Sequence, residues 1–223
     1  MSEKPKNRLR EILEGNLLQS EVELVRLYPE KYVVDTTAHG LHLLVINTVR
    51  AAIDPAFMNA CTTLYVTLHT DSSLIIADNG RGIPVVSSSK LDTRPRIEAV
   101  MTSFYNGAPD PVSCERFSFL FNLGPVLNAL SDSLTIETIM DGNRYVIGFE
   151  RGYTVQTLQN LGSTKERGTC IHLRPDPSIW TETQLEESVL CKSLQQLALE
   201  YPTTKITLQD EQSAKVITFD KVH

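Results

Sequence analysis

The sequence predicts an α+β sandwich, and three observations carry that prediction. Leu64–His69 and Ser73–Asp78 are β-rich runs flanking Asp71-Ser72, the pattern of a β-hairpin. Between Thr36 and Met58, the residues Leu41, Leu44, Val45, Val49, Ala52, Ile53 and Ala56 recur at helical spacing. The second half mixes further short strand patterns with one more helical stripe, and neither a repeat nor a linker divides the chain.

The elements follow in order. Leu9, Ile12, Leu13, Leu17, Leu18, Val22, Leu24 and Val25 suit helical segments interrupted near Gly15-Asn16, and Pro29 closes that region. Thr37 is the expected cap of the helix over Thr36–Met58. After the hairpin, the polar stretch Ser87–Arg94 leads to a short helix over Ile97–Phe104. Asn106–Arg116, with Gly107, Pro109 and Pro111, reads as loop. Phe117–Leu130 is apolar and helical towards its end. Strands are expected at Ser133–Met140 and Arg144–Glu150 around Asp141-Gly142, then at Tyr153–Leu158 and Thr169–Leu173. Leu185, Val189, Leu190, Leu194 and Leu197 mark a helix over Thr183–Glu200, and Ile206–Leu208 with Lys215–Phe219 complete the strands.

Composition narrows the function classes. At 223 residues, with 41% hydrophobic and 22% charged residues, the chain can bury a sizeable core. Its formal net charge of −6 argues against direct nucleic-acid binding as the main role. Cys61, Cys114, Cys170 and Cys191 form no C-x-x-C pair, so reduced structural thiols are expected rather than a zinc site or a disulfide framework. The charged N-terminal stretch resembles neither a signal peptide nor a membrane span, and a cytoplasmic protein without membrane contact is the expectation.

The richest local signal is Ile75-Ile76-Ala77-Asp78-Asn79-Gly80-Arg81-Gly82-Ile83-Pro84. An apolar strand ends in a carboxylate and a Gly-x-Gly turn, which brings that carboxylate and a close backbone to a pocket wall. Further motifs are collinear with it: Val25-Arg26 with Pro29 and Tyr32, Gly40-Leu41-His42, Ala52-Ile53-Asp54, Val100-Met101-Thr102, Asn128-Ala129-Leu130-Ser131 and Gly168-Thr169. In this order they resemble the GHKL (Bergerat-fold) ATPase domain of bacterial DNA gyrase B and topoisomerase IV, over nearly the whole chain. The resemblance implies a two-layer sandwich, a mixed sheet with helices on one face. It also implies an N-terminal arm over residues 1–30 and a nucleotide-binding-type domain over 31–223.

The resemblance assigns roles residue by residue. Asp78 matches the carboxylate that accepts from the adenine amino group, and Thr169 matches the hydroxyl that supports it through an ordered water. Gly80 and Arg81 belong to the same motif, and Gly82, Ile83 and Pro84 match the pocket floor. Asn47 stands where the family has its general base, a Glu. An amide cannot take up the proton of an attacking water, a step worth roughly a hundred- to ten-thousand-fold in rate. Ala51 stands where an Asn side chain ligates Mg²⁺, and a methyl group offers no oxygen. Ser118–Leu123 replaces the glycine-rich phosphate lid, with Phe119 and Phe121 where backbone amides should approach phosphate. Arg50 and Pro55 replace family acids, and the acid at Pro55 normally pairs with the arginine matched by Arg81.

These changes imply no catalytic residue, no bound metal, and at most an adenine nucleotide or another small planar ligand held without Mg²⁺. The arm is the expected contact for a homodimer or for a gyrase or topoisomerase subunit. The alternative is a diverged, ATP-hydrolysing domain of a type II topoisomerase. Taken alone, Asp78 would read as a turn carboxylate capping Asn79-Gly80, and Arg81 as a surface residue that has lost its partner. His39 and His42 have an H-x-x-H spacing without a third ligand nearby, so a metal role is not expected. The apolar run Phe117–Leu127 is expected to be core rather than a partner surface.

Overall fold

The computed structural model describes residues 20–53, 61–87, 93–104 and 114–220, with side chains of the fourth helix described from Asn122 onward. Helix α1 (Glu21–Leu27) opens on a capping box. Ser20 Oγ accepts from the Glu23 amide, and the Glu23 carboxylate accepts from the Ser20 amide. A single 3₁₀ turn, Pro29–Lys31, leads towards helix α2 (Ala38–Ile53). Thr37 caps α2 as the sequence predicts, its hydroxyl accepting from the His39 amide. Asp35 braces the start of that helix by accepting from the amides of Thr37 and Gly40. Gly40 is required there, because a Cβ would meet the Asp35 carbonyl oxygen at 1.9 Å.

Strands β1 (Thr63–Leu68) and β2 (Leu74–Asp78) form the expected hairpin, with Asp71 capping the Ser73 amide in the turn. Helices α3 (Arg96–Thr102) and α4 (Cys114–Ala129) follow. Strands β3 (Ser131–Met140), β4 (Asn143–Glu150), β5 (Tyr153–Ser163) and β6 (Gly168–Pro175) come next, then helix α5 (Glu187–Glu200), β7 (Lys205–Asp210) and β8 (Lys215–Phe219). They form one eight-stranded mixed sheet in the order β5-β4-β3-β6-β2-β1-β7-β8, in which β1 and β7 run parallel and the other pairs antiparallel. The α+β class and the mixed sheet with helices on one face are as expected.

The core is laid down in rows across the sheet. One row is Phe149, Leu134, Leu173 and Leu74, and the next is Ile147, Ile136, Ile171, Ile76 and Val66. All nine are buried, and Leu41, Val45 and Val49 of α2, Leu127 of α4, Leu130 just after it, and Leu190 and Leu194 of α5 belong to the same core. Burying a side chain of this size contributes roughly 1.5–3 kcal/mol, so these two rows alone commit the sheet to one register.

Three expectations need correction. The last long helix begins at Glu187 rather than Thr183, because the Glu186 amide is donated to His42 Nε2 at 2.9 Å and the chain before it stays extended. Helix α4 spans the whole of Cys114–Ala129, so the end of the expected loop, Cys114–Arg116, is helical, and Pro125 lies inside a helix. Close packing explains how: a Cβ on Gly124 would meet the Val100 carbonyl oxygen at 2.5 Å, so α3 and α4 touch backbone to backbone. The strand after Asp141-Gly142 and its partner are also longer than their apolar patterns, because β5 continues to Ser163 as an exposed edge.

Of the expected arm, residues 1–19 lie outside the described residues. The remainder packs on the body. Val22 and Val25 are buried, and Arg26 reaches the Ala129 carbonyl at the end of α4 and the Asp176 carboxylate at 2.6 Å.

Candidate functional site

The third row of the sheet's inner face turns polar at its centre. Leu64, Asp78, Thr169, Thr138 and Tyr145 lie opposite one another on β1, β2, β6, β3 and β4. Period-two alternation forces this placement: Asp78 follows Leu74 and Ile76 on the buried side, and Thr169 precedes Ile171 and Leu173. The carboxylate and the Thr169 hydroxyl, far apart in sequence, are thus neighbours by strand register alone.

Asp78 makes the turn-capping bond that its place before Asn79-Gly80 allows. Its Oδ1 accepts from the Gly80 amide at 2.6 Å, the turn-capping bond, while the side chain sits in the floor of the polar row. Burial pushes its carboxyl up to about 6, against the opposing pull of the Gly80 and Thr169 amides and the nearby Arg167 charge. A buried acid raised towards neutrality is a feature that ligand sites share with structural carboxylates.

The turn after Asp78 is fastened on three sides. Asn79 Oδ1 accepts from the amides of Thr62 and Thr63, and its Nδ2 donates to the Thr62 hydroxyl at 2.9 Å. From the β5–β6 turn, Arg167 Nε donates to the Asn79 carbonyl at 2.6 Å. On the third side, Thr138 Oγ1 accepts from the Ile83 amide at 2.6 Å and donates to the Ile83 carbonyl at 3.3 Å. Two glycines make the approach feasible. Gly82 has φ of +81°, and a Cβ there would lie 2.1 Å from the Ile139 carbonyl oxygen; on Gly168, with φ of +120°, it would lie 1.8 Å from that of Asp78.

Gly80, Gly82 and Ile83 are buried and Pro84 partly so, and Gly82 and Ile83 lie against Thr138, the neighbour of Thr169 in the row. Arg81 is exposed, and it is engaged in an interaction of its own, so the expectation of a guanidinium without a partner is corrected. Pro55 lies outside the described residues. Thr138, Asn79 and Arg167 belong to the site without being singled out by the sequence. Thr138 has a readable signal there, a hydroxyl continuing the inner-face series Leu134, Ile136; the contacts of Arg167 have none.

The phosphate end is built differently. Asn47 is exposed on α2, and Ala51, one turn on, is buried with 4% of its surface accessible. Arg50 is bound to Glu200 on α5 at 2.6 Å. A hard divalent cation needs several oxygen ligands, and these positions supply one amide oxygen, a methyl group and a guanidinium already paired with Glu200, a donor set too poor in oxygen for Mg²⁺. Among the described residues no group of three His, Cys, Asp or Glu side chains is placed to hold a metal. His39 is exposed and pairs with Asp35 at 2.9 Å. His42 is buried, its Nδ1 donating to the Ala38 carbonyl and its Nε2 accepting from Glu186, so both of its nitrogens have structural partners. In the lid segment, Asn122 is exposed and Leu123 buried, while the side chains of Ser118–Phe121 lie outside the described residues. Cys61 is buried, which pushes its thiol up to about 11. No helix among the described residues is long and apolar enough to cross a membrane.

Comparison with known proteins places this geometry. No family model matches the chain. It is 35% identical over 206 residues to the type 2 topoisomerase B protein of Aquifex aeolicus, an alignment that takes in 91% of this chain and 26% of that protein. It is 34% identical over 200 residues to the DNA gyrase B protein of Thermotoga maritima, covering 89% of this chain and 31% of the relative. The chain therefore spans about a third or less of the length of these curated relatives. In structure it resembles the 43K ATPase domain of Thermus thermophilus gyrase B, solved in complex with an aminocoumarin. The TM-score is 0.79 at 28% identity, covering 91% of this chain and 52% of that one. By sequence and fold together, the chain belongs to the GHKL (Bergerat-fold) family as a relative of the gyrase B and type 2 topoisomerase B ATPase domain.

Proposed function

We propose that this domain binds a small planar ligand of adenine type, without Mg²⁺, and does not hydrolyse ATP. One observation carries the reading: the residues that the family resemblance assigns to adenine, Asp78 and Thr169, are neighbours on a buttressed turn and strand, while the positions assigned to phosphate and metal carry Asn47, Arg50 and Ala51. Asp78 offers an acceptor to an exocyclic amino group, and Thr169 stands beside it to complete a donor–acceptor pair. Hydrolysis needs a group that takes a proton from water, and the Asn47 amide is not one.

Such a domain acts by occupancy. Binding at Asp78 and Thr169, or contact through the N-terminal arm with a second copy or with a gyrase or topoisomerase subunit, is its output. Its kinship to DNA gyrase B and type 2 topoisomerase B motivates that class of partner.

The same kinship favours a second reading, an ATP-hydrolysing domain of a type II topoisomerase. Steady-state ATP turnover with Mg²⁺ separates the two. The expected result is no turnover above a no-protein control, and none gained by the Asn47→Glu, Ala51→Asn double variant, since the lid is changed as well. Mg²⁺-dependent turnover by the unaltered chain would favour the second reading.

A further inference from the structure

We infer that Thr138 is the positioning residue of the pocket floor, the side chain that fixes Gly82-Ile83-Pro84 at its distance from Asp78 and Thr169. This inference rests on the reading of that recess as a ligand site. Leu134 and Ile136 precede Thr138 on the inner face of β3, and both are fully buried apolar side chains. A third apolar residue would continue the pattern. Instead a hydroxyl sits there with 0% of its surface accessible, and a buried hydroxyl needs partners.

It finds both on one residue. Ile83 is buried and lies outside any strand, so its backbone N–H and C=O have no ladder to join. Thr138 Oγ1 takes the amide at 2.6 Å and returns its own proton to the carbonyl at 3.3 Å, a side-chain substitute for one rung of β-pairing. The neighbouring Gly82 lies so close to β3 that a Cβ on it would come within 2.9 Å of the same hydroxyl. Thr138 stands beside Thr169, which stands beside Asp78 in the same row, so one side chain sets where the floor lies relative to both polar groups.

With its proton given to the Ile83 carbonyl and one lone pair taken by the amide, this hydroxyl is not a ligand donor. Its effect on binding passes through the floor.

The test uses two variants and two readouts. Thr138→Val keeps the shape and removes both bonds, and Thr138→Ser keeps the hydroxyl. Amide hydrogen exchange at Ile83 is expected to speed up at least about tenfold in the valine variant relative to the unaltered protein, and to stay protected in the serine variant. Calorimetric titration with ADP in the absence of Mg²⁺ is expected to show affinity about tenfold weaker for valine and restored by serine.

Unchanged exchange at Ile83 in the valine variant overturns the inference. Faster exchange with unchanged ADP affinity also overturns it, since the hydroxyl would then be structural only. If the unaltered protein binds no ADP, the adenine reading falls by itself. The exchange readout then decides alone whether Thr138 holds the floor.

Discussion

Arg26→Ala is expected to lower the unfolding free energy by about 3–5 kcal/mol, the largest stability effect of any single side-chain truncation proposed for this domain. Asp176 is the reason. Its side chain is 0% exposed, and Arg26 Nη2 lies 2.6 Å from its Oδ2. Burial by itself would raise the Asp176 carboxyl; the Ser178 hydroxyl and amide and the Arg26 guanidinium outweigh it and hold the group below its ordinary value.

Removing Arg26 leaves a buried carboxylate without its main counter-charge. It also strips the Ala129 carbonyl at the end of α4 of its donor. Arg151 also approaches Asp176, at 3.6 Å from a side chain 57% exposed, and compensates weakly at that distance. For a chain of this size the loss corresponds to a fall of about 6–20 °C in midpoint temperature.

The pH dependence has a definite sign. A depressed carboxyl contributes stability that is present above its unfolded pKa and is lost as pH falls through the folded value. Arg26→Ala should therefore flatten the acid limb of the stability profile, and adding Asp176→Asn should recover part of the loss at neutral pH. Thermal melts of the three proteins between pH 3 and 8 check this. A neutral-pH loss below about 1 kcal/mol would show that Arg151 or solvent takes over the pairing.

Asp78→Asn is expected to do the opposite to stability and to weaken binding. The Asp78 carboxyl is raised from 3.8 to about 6 in the folded state. A raised carboxyl contributes stability that is complete below the unfolded pKa and is lost as pH climbs through the folded one. Ionisation of Asp78 therefore costs the unliganded protein about 1–3 kcal/mol between pH 4 and 7, a slope that the asparagine variant should lack.

A ligand that donates N–H to this group is held more strongly by the ionised form, whose oxygens are the stronger acceptors. Affinity for an adenine-type ligand should rise as pH climbs through about 6 and level off above it. Losing a charge-assisted hydrogen bond should weaken binding roughly 10- to 100-fold in the variant. Titrations at pH 5, 6, 7 and 8 decide the matter. An affinity that falls with rising pH, or a variant that binds as the unaltered chain does, would remove Asp78 from the site.

Much of this architecture is legible in the sequence because period and burial agree there. The β1–β2 hairpin follows from its strand-forming runs, and α2 follows from a stripe in which Leu41, Leu44, Val45, Val49 and Ile53 are all buried. Asp78 and Thr169 are identified through a resemblance, and strand register gives the physical reason they meet.

What stays hidden depends on long-range partners. The start of α5 is decided by His42, 144 positions away, which takes the Glu186 amide. The early start of α4 at Cys114 falls in a stretch whose glycine and prolines signal loop to local reading. Arg167 is an ordinary turn arginine by sequence and a clamp on the Asn79 carbonyl in the fold. Arg81 cannot be paired from sequence, because its expected partner position holds a proline.

The central claim is that the domain keeps an adenine-type site and lacks one for metal and triphosphate. Calorimetric titration with a non-hydrolysable ATP analogue, with and without Mg²⁺, tests it most directly. The expected result is measurable binding of equal affinity in both conditions, carried by Asp78 and Thr169 alone. Binding that is tight only with Mg²⁺ would contradict the claim, because other groups would then be serving the roles that Asn47 and Ala51 cannot. No binding in either condition would contradict it from the other side, leaving the fold without its pocket function.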